Sequence, residues 1–228
     1  MTAAKDDEEP GCFASPPCLM HEVDPAYMGL TDAVDSRQHK DVMRWRKAER
    51  ERLIAERLAL SADQRHAMAE RIVHHVEAAI GDVNGVTVSC YWPFRGEPDL
   101  RGLMERIASL GGRCALPVVV ERAQPLIFRT WASGEPLEKG IWNIPIPAAG
   151  TEVVPDVVIA PVVGFDPNHY RLGYGGGYYD RTLAAMTHRP RFLGVGYAQA
   201  AIPTIYPQPH DIPMDMVVTE NGIFGKGD

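Results

Sequence analysis

The sequence predicts a three-layer α/β/α domain built on a mostly parallel, Rossmann-like sheet. Three observations carry that expectation. Apolar strand-like runs alternate with helical segments along most of the chain, which favours parallel pairing with helices on both faces. A buried strand at residues 157–163 is followed by a glycine-rich loop and then a helix start at residues 181–186. The chain has 228 residues and 45% hydrophobic content, enough for one sizeable core.

The elements follow in order. Residues 40–58 read as a helix. Ser61-Ala62-Asp63-Gln64 is a capping box that opens a second helix. Met68, Ile72, Val76 and Ile80 give that helix one apolar face, and Gly81 stops it. Residues 86–91 read as a strand and residues 93–98 as a loop. Leu100, Leu103, Met104, Ile107 and Leu110 mark an amphipathic helix ended by Gly111-Gly112. Residues 113–120 and 126–131 form a hairpin around Pro125. Residues 132–155 are rich in proline and glycine and are expected to be irregular. Residues 192–197 and 216–219 are the last strands.

Residues 1–36 read as a partly disordered N-terminal extension, and residues 37–228 as a single α/β domain. The formal net charge is −7, and it comes from the extension, which holds eight acids and one base. The remaining chain is balanced at 22 acids and 22 bases, so no bulk basicity invites nucleic acid. No apolar run has a membrane span's length and no leader is visible, so a cytoplasmic enzyme is expected. Cys12, Cys18 and His21 are a loose trio for a metal or redox cluster, and a disordered or surface-docked tail accounts for them better. Cys90 and Cys114 sit in apolar strands as small core residues.

The chemistry concentrates in Arg171-Leu172-Gly173-Tyr174-Gly175-Gly176-Gly177-Tyr178-Tyr179-Asp180-Arg181. Strand, glycine loop and helix together present backbone N–H groups and a helix dipole to phosphate. The run is neither a Walker sequence nor Gly-x-Gly-x-x-Gly. Asp180 suits an oxygen ligand for Mg²⁺ or an N-cap. The basic run Arg44, Arg46, Lys47, Arg50 suits either an anion site or a solvated charged face. Glu97, among aromatics after a strand, suits the amidine-like edge of a pterin or guanine through paired N–H···O bonds, or a surface loop. Asp99 caps the next helix. Trp142 suits stacking on a planar ligand or anchoring its own loop. His210-Asp211 and Asp215 offer a second metal carboxylate or a capped turn.

These pieces together resemble the 5-formyltetrahydrofolate cyclo-ligases, also called methenyltetrahydrofolate synthetases. The resemblance spans about residues 44–220. It rests on Gly164-Phe165-Asp166 with Arg171 through Asp180, and on Glu97, Trp142-Asn143-Ile144-Pro145, His210-Asp211, Asp215 and Thr219-Glu220. It implies phosphorylation of the formyl oxygen of 5-formyltetrahydrofolate by ATP, then ring closure by N10. It implies that ATP lies against Arg46, Lys47, Arg50, Arg171, Leu172, Gly173, Tyr174, Gly175, Gly176, Gly177, Tyr178 and Tyr179. Arg171, Tyr178 and Tyr179 would be catalytic. Trp92, Glu97, Trp142 and residues 174–178 would face folate, and Asp180 and Asp211 would hold Mg²⁺. A monomer or weak dimer is expected. The family's Lys-x-x-Leu-Arg becomes Arg46-Lys47-Ala48-Glu49-Arg50 here. Arg50 matches its arginine, while Arg46 or Lys47 stands for the lysine. The competing readings are a paralogue acting on another, thiamine-related metabolite and a non-catalytic nucleotide or folate sensor.

Overall fold

The computed structural model describes residues 31–225. Cys12, Cys18 and His21 lie outside the described residues. The chain divides into two compact units, Met1–Met43 and Arg44–Asp228. Helix α1 (Thr31–Ala59) begins well before residue 40, so the last residues of the predicted extension are helical. No proline or glycine interrupts residues 31–59, and nothing in the sequence stops the helix from extending backwards.

Helix α2 (Ala62–Ile80) has the predicted capping box. Ser61 Oγ accepts from Gln64 N at 3.1 Å, and Gln64 Oε1 accepts from Ser61 N at 2.8 Å. Strand β1 (Thr87–Ser89), helix α3 (Arg101–Ser109), and strands β2 (Arg113–Val118) and β3 (Ile127–Thr130) follow. Residues 132–155 are more ordered than expected: they hold β4 (Leu137–Lys139), β5 (Pro145–Pro147) and β6 (Glu152–Val153). Strands β4 and β5 make a separate two-stranded ribbon. A ribbon with free edges tolerates Pro145 and Pro147, whose missing N–H groups can face away from the partner strand. Then come β7 (Val157–Pro161), β8 (Gly164–Phe165), β9 (Arg171–Leu172), α4 (Tyr178–Ala185), β10 (Arg191–Val195), β11 (Met216–Thr219) and β12 (Gly222–Gly225).

The main sheet has eight strands in the order β12-β11-β10-β7-β1-β2-β3-β6. The run from β11 to β2 is parallel, and antiparallel strands flank it on both sides. The predicted hairpin is β2–β3, with Val118 opposite Ile127. Successive residues of each strand enter opposite layers, as a period of two requires. Val157 and Ile159 join a core with Leu193, Val218, α2 and α3. Val158 and Ala160 join the other core with Phe192, Val217 and the α4 residues Tyr179 and Leu183. The sheet therefore lies between helical layers.

Ligands of such sheets bind beyond the carboxyl ends of the strands. Two loops leave that edge: residues 92–99 after β1, and the β8–β9 hairpin after β7. The hairpin has two residues per strand, too few to hold itself together. Asp166 at its turn, 1% exposed, supplies the missing order. Its carboxylate accepts from Asn168 N at 3.0 Å, Tyr170 N at 3.1 Å and Ile205 N at 3.1 Å. Asp166→Asn should lose about 1–3 kcal/mol in urea unfolding, because one amide donor then faces a backbone donor. Unchanged stability would show that the three bonds contribute nothing net.

Candidate active site

The glycine loop bridges β9 and α4. Gly175 has φ 93° and Gly177 has φ 62°, both in the left-handed region. A Cβ on Gly176 would lie 2.6 Å from the Tyr178 ring. A Cβ on Gly173 would lie 3.1 Å from the Arg171 guanidinium. The loop thus runs close over its own side chains, which only glycine permits.

Two arginines bracket it. Arg50 on α1 donates from Nε to the Gly173 carbonyl at 2.6 Å, and its guanidinium also lies beside Gly175. Burial, then the like charge of Arg46, holds Arg50 below the ordinary arginine range, with Asp211 opposing. Positive charge beside a loop of backbone amides is the electrostatic setting that favours an anion. Arg171 lies over the Tyr179 ring at 4.9 Å and pairs with Asp180 at 3.1 Å. Its Nε is buried without a hydrogen-bond partner.

The loop after β1 comes to the same place. Glu97 is 6% exposed. Its Oε2 accepts from Phe94 N at 2.9 Å, and its Oε1 accepts from the Tyr174 hydroxyl at 2.9 Å. The predicted folate loop and the predicted phosphate loop therefore meet through one hydrogen bond. Burial pushes Glu97 up to about 7, against the pull of Arg57 and the two hydrogen bonds. Burial likewise raises the Tyr174 phenol.

A family model described as the 5-formyltetrahydrofolate cyclo-ligase family matches residues 42–220. This chain belongs to that family. The 5-formyltetrahydrofolate cyclo-ligase of Escherichia coli K12 is 32% identical over 176 residues, covering 74% of this chain and 96% of that protein. The mouse protein of the same name is 26% identical over 177 residues, covering 72% and 87%. The solved structure of the Aquifex aeolicus 5,10-methenyltetrahydrofolate synthetase superposes with a TM-score of 0.69 at 27% identity, covering 80% of this chain and 93% of that one. The fold and the enzyme class, a ligase, follow.

Within this family member the expected residues divide by what they touch. Tyr178 meets Trp142 edge-on at 5.9 Å, and the Arg181 guanidinium lies 5.6 Å from the centre of the Tyr178 ring. Trp142 is 57% exposed and sits at φ 58°, a strained conformation for a bulky residue. Trp92 packs edge-on against Trp131 at 5.6 Å and lies under Arg101. Tyr179 stacks on Phe192 and supports Arg171 from below. The Leu172 side chain is core, so only its backbone is available to a ligand. Asp99 accepts from Arg101 N at 3.0 Å, while Leu100 occupies the cap position of α3.

The choice between Arg46 and Lys47 takes a physical form here. Arg46 is buried and donates to the carbonyls of Ile205 and Tyr206, each at 2.9 Å, and to the Asp211 carboxylate. It is a strut between α1 and residues 205–211. Lys47 is exposed. Asp211 is paired with Arg46 and also accepts from Gln208 N, while Asp180 is paired with Arg171 and accepts from Ile212 N. Asp180 lies inside α4, where Gly177 is the cap residue. Among the described residues no three His, Cys, Asp or Glu side chains form a metal group. Asp180 and Asp211 together therefore do not fit a resident Mg²⁺ cage, since an arginine neutralises each of them.

One residue escaped the sequence reading altogether. Arg57 is 5% exposed, and its Nη2 donates to the Tyr174 hydroxyl at 2.6 Å. Its position in a charged helical run gave no sign of this.

The buried Glu97 predicts a pH dependence. Its folded pKa is raised from 4.5 to about 7, so its contribution to stability is present below about 4.5 and is lost as pH rises through about 7. Comparison of wild type with Glu97→Gln by urea unfolding between pH 4.5 and 8 should show the wild type losing ground by about 3 kcal/mol across that window. A difference constant with pH would mean that the carboxylate pays no burial penalty.

Proposed function

We propose that this chain catalyses the ATP-dependent closure of 5-formyltetrahydrofolate to 5,10-methenyltetrahydrofolate, releasing ADP and phosphate. The observation that carries the reading is the Tyr174–Glu97 hydrogen bond. It joins a phosphate-type glycine loop to a loop bearing a buried carboxylate, so that two different ligands would be held at adjoining places.

An amide oxygen is a poor leaving group. Transfer of the γ-phosphoryl to the formyl oxygen forms a P–O bond and breaks the bond to ADP. The N10 lone pair then adds to the activated carbon, the N10 proton is lost, and the C–O bond breaks with phosphate as leaving group. The protein needs to align phosphate with oxygen and to neutralise developing charge. The loop amides from Gly173 to Gly177, with Arg50 and Arg171, are suited to that task. Glu97 suits the N–H edge of the pterin, and the exposed Trp142 with Tyr178 offers an aromatic wall. Tyr179 acts by holding Arg171. Lys47 and Arg46 stay in this reading as a solvent-side charge and a strut.

Mg²⁺ would enter with the triphosphate as its counter-ion and would supply neutralisation of the phosphate charge. Asp180 and Asp211, each paired with an arginine, would have to be released to reach the ion, and no step above runs through it. The protein is read as a cytoplasmic monomer or weak dimer. No helix among the described residues is long and apolar enough to cross a membrane.

The test is a spectrophotometric assay with 5-formyltetrahydrofolate, ATP and Mg²⁺. ATP-dependent methenyltetrahydrofolate absorbance, with ADP released in equal amount, is the expected result. Folded protein that binds ATP without forming product would reject the substrate. In the same assay Arg50→Ala should raise the KM for ATP about tenfold or more while changing the folate KM little. Equal effects on both would move Arg50 out of the phosphate site.

A further inference from the structure

Arg57 is the centre of a hydrogen-bonded set that none of the preceding chemistry uses. Its Nε donates to the Arg95 carbonyl at 3.0 Å, and its Nη1 reaches the Val162 carbonyl at 3.4 Å. Its Nη2 donates to the Tyr174 hydroxyl, which in turn donates to Glu97. Arg95 at φ 49° and Gly96 at φ 78° form a left-handed turn just before Glu97. Gly96 packs directly on Arg57 and Leu58. One guanidinium thus fixes the strained turn, the end of β7 and the tyrosine of the glycine loop.

We propose that Arg57 is a positioning residue for folate recognition: it holds Glu97 as an oriented carboxylate through Tyr174 and through its own positive charge. The proposal rests on the folate reading above. A carboxylate has about four lone-pair sites, and Phe94 N and Tyr174 occupy two here. Two remain for the N–H donors of a pterin edge, and they accept strongly only while the group is ionised.

Several groups face Glu97 electrostatically. Arg57 comes from α1, Tyr174 from the glycine loop, Tyr91 from the end of β1, Tyr179 from α4 and Tyr197 from beyond β10. Burial raises all four phenols, so they stay neutral at working pH and add no charge beside Glu97. Arg57 is the cation that opposes the burial of Glu97. Without it, protonation of Glu97 would persist to higher pH, and the pterin would meet a carboxylic acid.

The experiment is the pH profile of kcat/KM for 5-formyltetrahydrofolate at saturating ATP, from pH 6 to 9, in wild type, Arg57→Gln and Arg57→Lys. The wild type should rise through a midpoint near 7. Arg57→Gln should shift the midpoint upward by about one unit or more, a deficit of about tenfold at pH 6.5 that shrinks by pH 9. Arg57→Lys keeps the charge and loses the fork, so its midpoint should return most of the way. A deficit in Arg57→Gln that is the same at every pH overturns the proposal and leaves Arg57 as a packing residue. Should Arg57→Gln fail to fold, Tyr174→Phe cuts the same chain at a part-exposed residue. Its midpoint must rise, and an unchanged profile overturns the proposal. Wild-type turnover at pH 8.5 tests the folate reading separately, since absence of product there rejects the substrate whatever the variants do.

Discussion

A buried carboxylate with three backbone donors underlies the geometry of the site. Asp166 lies at the turn of a hairpin too short to be stable alone, and that hairpin carries the glycine loop. Burying an ionised group costs several kcal/mol unless its lone pairs are filled. Here the amides of Asn168, Tyr170 and Ile205 fill them. The third bond has a second effect. It fixes residue 205, whose carbonyl then receives Arg46, while Tyr206 and Asp211 receive the rest of that guanidinium. One acid therefore orders the hairpin, the loop at residues 205–211 and the seat of α1 between them.

The second buried acid is held by a different set of donors. Asp166 has three backbone donors, whereas Glu97 has one backbone donor and one phenol. Burial outweighs these and raises it, so holding Glu97 charged near neutral pH costs folding stability. A residue kept under that cost, at the contact between two loops, has the electrostatics of a site awaiting a ligand. Family membership supplies a ligand class whose N–H groups would complete it.

Much of the fold was legible because its signals are periodic. The unbroken apolar run at residues 157–163 and the capping box at Ser61 each rest on short-range rules, and each has its counterpart in the structure, the strand as Val157–Pro161. The segment 132–155 misled because proline was weighed as a breaker, although an edge ribbon tolerates it. The start of α1 misled because the helix there has no apolar stripe to announce it. Within the site, glycine spacing marked the loop, and a carboxylate among aromatics after a strand marked Glu97. Partnerships were not legible. Arg57 joins Tyr174 across 117 positions and Arg46 joins Asp211 across 165, and no local pattern encodes either pairing.

Charge placement separates the arginines by role. Arg46 and Arg171 are each matched to a carboxylate, Asp211 and Asp180. A matched guanidinium meets an incoming anion with part of its charge already balanced, and at Arg171 the buried Nε without a partner is the donor left over. Arg50 is tied to the Gly173 carbonyl, which leaves its full charge beside the loop. Arg57 is also tied to carbonyls, and its charge is directed through a phenol toward Glu97. The nearest unneutralised positive charge thus lies at the glycine loop, and the nearest incompletely balanced negative charge lies at Glu97. In the proposed reading a triphosphate would be drawn to the first place by charge and a pterin N–H edge would be held at the second by hydrogen bonds, so the two ligands would be sorted by the sign of the group that meets them.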